Sequence, residues 1–215
     1  MAFLGLDTDQ YPGDAMMARL RQRFAVTGFY LAPAPSHGDT GWMTRLQYLQ
    51  GLRYGFLPVY VGQELVGPGR HNVTAGQGVI DGADAARLAR LAGFMAGSCI
   101  YLDLENGPPF TPAEAEYVKA FADTLRTNGY AIGIYGSHLY AAALRALVPE
   151  ARIWTVHTAT VDRHVRSSAL ITAPDPTSIY SQAIACQFDL SVLLSDFGGL
   201  EVDLNSTTIA DPSRP

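Results

Sequence analysis

The sequence predicts a closed, degenerate (β/α) barrel of the α/β class, and three observations carry that expectation. Eight short apolar segments read as strands, helical patterns alternate with them over the first two thirds of the chain, and after Thr158 the helical signal fades into Ser, Thr, Pro and Asp. Alternating strands and helices are what βα units around a parallel sheet produce, and the late loss of helices implies an outer ring short of eight. The competing fold, an open doubly wound sheet, lacks support because no Gly-x-Gly-x-x-Gly turn follows the first strand.

In chain order the expected strands are Phe3 to Asp9, Val26 to Ala32, Phe56 to Gln63, Cys99 to Glu105, Ala131 to Gly136, Arg152 to Thr158, Ala183 to Asp189 and Leu200 to Asn205. Helices between them show apolar residues at helical spacing. One is marked by Leu88, Leu91, Ala92 and Met95, another by Val118, Phe121, Ala122 and Leu125, each set defining one buried face. The second has defined ends: Thr111-Pro112-Ala113-Glu114 is a capping box with proline at the first helical position, and Asn128-Gly129 supplies a left-handed stop.

A chain of 215 residues with 48% hydrophobic and 16% charged content can bury a sizeable core, and one domain spanning 1–215 is expected. The net charge of -5, with no basic run, argues against nucleic acid as a partner. No segment reaches membrane-spanning length, and Met1 to Asp7 lacks the basic and long apolar regions of a signal peptide. The expectation is a protein that, if it works outside the cytoplasm, gets there by another export route or by lysis, and is otherwise cytoplasmic. Cys99 and Cys186 fall in separate apolar strands and read as free buried thiols. The five histidines show no His-x-x-x-His spacing and the cysteines no Cys-x-x-Cys, so neither a metal nor a cofactor is expected; no Gly-x-Ser-x-Gly elbow is present.

Barrel enzymes gather their reactive groups at the carboxyl ends of strands. Here acids recur at those ends: Asp7 and Asp9, Asp103 and Glu105, Gln187 with Asp189, and Asp203 with Asn205. Tyr30, Tyr60, Gln63, Tyr135, Trp154 and His157 join them, a mixture of rings and polar groups that suits sugar rings and hydroxyls. Tyr60 and Tyr135 have an alternative reading as core packing, Asp9 and Asp189 as residues aimed at the other face, and His157 as a lining residue. In Tyr101-Leu102-Asp103-Leu104-Glu105, Asp103 and Glu105 point the same way, about 7 Å apart along the strand. Each disfavours the other's charge, so one can stay protonated as a general acid. The bland alternative is a strand end that opens into a solvated loop.

Gly5-Leu6-Asp7 with Gln10-Tyr11-Pro12-Gly13, Tyr101 to Glu105, Gly133-Ile134-Tyr135, Trp154, Cys186-Gln187-Phe188 and Val202-Asp203-Leu204-Asn205 resemble the ordered landmarks of family 25 glycoside hydrolases, bacterial and phage muramidases. The chain is similar over nearly its whole length to a related bacterial glycoside-hydrolase-like domain family, formerly a domain of unknown function. The resemblance implies a (β/α)5β3 barrel. It implies Glu105 as general acid, Asp103 as the carboxylate that steadies the reacting group, and Asp7 and Asp203 as walls of one acidic cup. It further implies a retaining, substrate-assisted cleavage of a 2-acetamido glycan, with peptidoglycan the expected substrate. The chain departs from family 25 in Thr8-Asp9-Gln10-Tyr11, where a His-Tyr element is usual, and in Thr155-Val156-His157. Two alternatives stand beside it: a chitinase-like glycosidase, and a catalytically inactive barrel that binds cell-wall glycan.

Overall fold

The computed structural model describes residues 2–64, 69–104, 111–158 and 162–215. Its strands are β1 (Phe3–Asp7), β2 (Val26–Tyr30), β3 (Gly55–Val61), β4 (Cys99–Leu104), β5 (Ala131–Ser137), β6 (Arg152–Val156), β7 (His164–Arg166), β8 (Ala183–Leu194) and β9 (Leu200–Thr207). The α-helices are α1 (Asp14–Leu20), α2 (Leu46–Gly51), α3 (Ala75–Ala92), α4 (Pro112–Thr127) and α5 (Ala141–Leu147). The sheet runs β6-β5-β4-β3-β2-β1-β9-β8-β7, and a further β6–β8 pairing closes it into an eight-stranded barrel, leaving β7 as an appendage on the extended end of β8.

β1 to β6 and β8 pair in parallel where they meet, whereas β9 runs antiparallel to both β1 and β8. The antiparallel last strand and β7 are additions to the sequence reading. They have a common cause: β8 continues through twelve residues, and only a short 3-10 turn at Ser195–Phe197 separates it from β9, too little chain for a parallel crossover. Beyond α5 the described connections hold only 3-10 turns, so five α-helices cover the barrel, as the fading helical signal predicts.

Alternation along each strand makes two cores. Inside the barrel pack Val26, Leu57, Val59, Cys99, Tyr101, Tyr135, Trp154 and Ala185. The outward residues, among them Leu6, Phe29, Phe56, Tyr60, Ile100, Leu102 and Ile134, form a larger layer with the helices. α4 carries the predicted capping box: Thr111 N donates to Glu114 Oε2 at 2.6 Å and Glu114 N to Thr111 Oγ1 at 3.2 Å. It buries Val118, Phe121, Ala122 and Leu125 as expected.

α3 differs from the sequence reading. Leu88 is buried, but Leu91 and Met95 are 70% and 76% exposed, and the face α3 buries is instead Gly78, Asp81, Gly82, Ala85, Ala86, Leu88 and Ala89. The reason is close helix contact: a Cβ on Gly82 would stand 2.6 Å from the Phe121 carbonyl oxygen, and one on Gly78 2.4 Å from that of Tyr117. Glycine and alanine, not bulky apolar residues, let α3 and α4 approach. The helix stops at Gly93, whose φ of 100° suits the left-handed cap.

Candidate functional site

At the end of the barrel where the parallel strands finish, Asp7, Tyr30, Val59, Asp103, Tyr135, Trp154 and Gln187, joined by Asp203 from the amino half of the antiparallel β9, surround a cavity of about 30 Å³, enough for one water. It lies beside a wider opening of about 250 Å³ that shares Asp7, Tyr30 and Asp203 and adds Thr8, Asp9, Ser191 and Glu201. A narrow acidic floor under an open cleft results.

Asp7 is the hub. It is paired in register with Asp203 across β1 and β9. Tyr30 Oη donates to Asp7 Oδ1 at 2.9 Å, while Gln187 Nε2 and Asn205 Nδ2 donate to Oδ2 at 3.0 and 2.6 Å. The same Gln187 Nε2 lies 3.3 Å from Asp203 Oδ2, so one amide group ties the two carboxylates together. Gln187 is held in turn by Tyr135 Oη at 2.5 Å on its Oε1, and Asn205 Oδ1 accepts from Trp154 Nε1 at 3.0 Å. Trp154 Nε1–H can only donate and so fixes the Asn205 amide, while the two carboxyl groups that Gln187 Nε2 faces fix the amide of Gln187.

Burial raises the pKa of Asp7; its three hydrogen-bond donors oppose the rise, and the charge of Asp9 adds to it. Tyr30 is pushed well above its ordinary value, first by burial and then by the charges of Asp7, Asp103 and Asp203, so it stays a neutral donor. Gly28 makes room for this arrangement, since a Cβ there would stand 2.5 Å from the Asp7 Cβ. Asp203 Oδ1 accepts from the backbone N–H of Ser191 at 2.7 Å. Ser191 has φ 52°, a left-handed conformation that costs about 1–2 kcal/mol in a non-glycine residue. It falls where β8 breaks register between Asp189 and Val192, which turns that N–H toward the cup.

The structure thus brings together Asp7, Asp103, Asp203, Tyr30, Tyr135, Trp154 and Gln187, with Asp9 exposed on the outer opening. Glu105 lies outside the described residues. One assignment is corrected, and others fall outside the cup. Tyr60 faces away from the barrel interior, its ring 5.6 Å from Phe121 and its hydroxyl 3.3 Å from Asp84, because it alternates with the inward Val59 and Val61. Gln63 sits beyond the end of β3 and donates to Asp81 of α3 at 3.0 Å, lining a different cavity. His157 is exposed, stacked edge-on against His138 at 4.5 Å. Asp189 serves an ion pair with Arg166 at 2.6 Å. Asn205, named in the sequence beside Asp203 but given no role there, is a donor to Asp7, and Ser191 is the contributor that nothing in the sequence marks.

No metal-binding group of three or more His, Cys, Asp or Glu occurs among the described residues, and none of the described helices is long and apolar enough to cross a membrane.

This arrangement coincides with a match to the Rv2525c-like, glycoside hydrolase-like domain over residues 24–187. The chain belongs to that family. No curated protein matches it. Among solved structures, an uncharacterized Bacillus stearothermophilus protein superposes with a TM-score of 0.68 at 19% identity, covering 94% of each chain. The Mycobacterium tuberculosis Tat-secreted protein Rv2525c, in complex with L-tartrate, gives 0.62 at 14%, covering 97% of this chain and 95% of that one. The modular autolysin LytC from Streptococcus pneumoniae, in complex with a synthetic peptidoglycan ligand, gives 0.66 at 13%, over 95% of this chain and 46% of that one. At these identities the likeness is one of fold, and the fold is that of glycoside hydrolase-like barrels.

Proposed function

We propose that this domain is a retaining endo-glycosidase that cleaves a 2-acetamido glycan, with peptidoglycan as the substrate. The observation that carries the reading is the convergence of Asp7, Asp103 and Asp203 with Tyr30, Tyr135 and Trp154 on one floor at the end of the barrel where the parallel strands finish. A glycosidic transition state has oxocarbenium character, so a cup of negative charge stabilises it more than it stabilises neutral sugar. The peptidoglycan ligand of LytC, on the same fold, supports the choice of glycan.

In the proposed mechanism Asp103 steadies the substrate's own acetamido group as that oxygen attacks the anomeric carbon, and the bond to the leaving sugar oxygen breaks. Glu105, which strand alternation in the sequence assigns to the same side as Asp103, donates a proton to that leaving oxygen and then takes one from the incoming water. Asp7 and Asp203, tied by Gln187, hold the negative field in place. Two displacements at one carbon retain its configuration.

Glu105→Gln is expected to abolish the turbidity loss and the release of reducing ends from purified cell walls by at least about a hundredfold, the scale of general acid catalysis, without loss of folding. Undiminished cleavage by the variant removes Glu105 from the mechanism. Wild-type protein that binds walls without cutting them or chitin oligomers makes the barrel a glycan-binding module.

A further inference from the structure

A second cavity opens on the same rim. β3 pairs with β4 so that Val61 stands opposite Asp103, and two residues beyond Val61 the chain enters a space of about 500 Å³ lined by Pro35, Gln63, Arg70, His71, Asn72 and Gln77. No acid is among these lining residues, in contrast to the cup; Glu64, on the same loop, turns toward Gly69, where a Cβ would meet its Cδ at 2.8 Å.

The wall of this cavity is built rather than loose. Buried Asp81 accepts from Gln63 Nε2 at 3.0 Å, Tyr117 Oη at 2.8 Å and Gln77 Nε2 at 2.7 Å. Gln63 Oε1 then accepts from Asn72 N at 3.0 Å, and Gln77 Oε1 from Asn72 Nδ2 at 2.9 Å. Arg70 is pinned by its backbone at both ends, N donating to Ser36 Oγ at 3.0 Å and O accepting from Glu64 N at 2.7 Å. The amides thereby hold one another in place. The charged group available to a ligand is the exposed Arg70 guanidinium, which has no ion pair among the described residues, and beside it stands the Nε2 edge of His71, whose Nδ1 lies 3.0 Å from the Glu64 carbonyl. The planar fork of guanidinium N–H donors matches a carboxylate, which can accept two of them at once.

We infer that this cavity is a subsite for a carboxylate-bearing branch of the glycan, a lactyl or peptide substituent, with Arg70 as its anion-binding group. The inference rests on the glycan reading of the cup. It adds a basis for choice: an uncharged chitin oligomer has nothing for Arg70 to hold, whereas a muramyl peptide does, and an acidic cup with net charge -5 around it otherwise repels such a substrate.

The test is binding, followed by amide NMR shifts and calorimetry, of N-acetylmuramyl-L-alanyl-D-isoglutamine and of chitotetraose to wild type, Arg70→Gln and Arg70→Lys. The muramyl dipeptide is expected to shift the amides of residues 70–72, with affinity about tenfold weaker in Arg70→Gln and partly restored in Arg70→Lys, while chitotetraose binds all three alike. Equal affinity of the three proteins for the dipeptide, or shifts confined to the cup, overturns the subsite and leaves the catalytic reading to the wall-cleavage assay. No binding of the dipeptide to wild type overturns it as well.

Discussion

Asp7 is held by three donors yet sits where charge is costly. Its carboxyl titrates near 3.8 in the unfolded chain and higher in the fold, because burial outweighs Asn205, Tyr30 and Gln187. Between those two values the native state keeps a proton that the unfolded state has released. Stability from this site is therefore fully present below 3.8, declines as the pH rises through the folded value, and stays reduced above it. Asp7→Asn carries no charge at any pH. Its stability relative to wild type is expected to rise between about pH 4 and pH 7, whatever constant offset the amide introduces against Asn205 and Gln187. Urea titrations at the two pH values measure this; a relative stability that is flat or falls with pH shows that the donors outweigh burial. Much of this floor was legible in the sequence: strand-end position and two-residue alternation both select Asp7 and Asp103, whereas Asp203 reaches the same end because β9 runs antiparallel and pairs it with Asp7, not because it ends its strand. Tyr60 was misplaced for the same reason in reverse: it meets the strand-end criterion but alternates outward, and a tyrosine's amphipathic ring fits either layer.

At the scale of elements, α4 was readable and the buried face of α3 was not. Thr111, Pro112 and Glu114 state the start of α4 in local chemistry, and Val118, Phe121 and Leu125 mark its face by bulk. The α3 contact is made by residues that have little side chain to count, so hydrophobic periodicity is drawn to Leu91 and Met95, which are exposed. That close contact can be tested. Gly82→Ala gains about 1 kcal/mol of helix propensity, but its Cβ would meet the Phe121 carbonyl oxygen at 2.6 Å and Thr124 Cβ at 3.0 Å. Overpacking against backbone costs about 1–3 kcal/mol, so net destabilisation is expected. Gly76→Ala, with nothing within 4 Å, supplies the control and should be neutral or stabilising. A more stable Gly82→Ala would mean that the two helices part without cost.

Over the whole molecule, eight-fold closure was legible from strand count and the loss of helices, while the direction of β9 was not, because an apolar segment reads the same in either sense. Closure also places the two cysteines in layers that open only with the barrel. Cys99 lies inside β4 and Cys186 on β8 beside the β6 seam, both buried as free thiols. Burial pushes the Cys99 thiol up to about 12 and raises that of Cys186, so neither is a thiolate at neutral pH and neither is reachable by reagent. A disulfide reagent such as Ellman's is expected to label no cysteine in the native protein. In rising urea both should become reactive at one midpoint, coincident with loss of secondary structure, since β4 and β8 lie in one continuous ring of hydrogen bonds. If Cys186 reacts at lower urea than Cys99, the β6–β8 seam opens on its own, and the barrel is closed by a locally weaker joint. That seam carries a register shift between Ile153 and Trp154, which makes it the place where separate opening would begin.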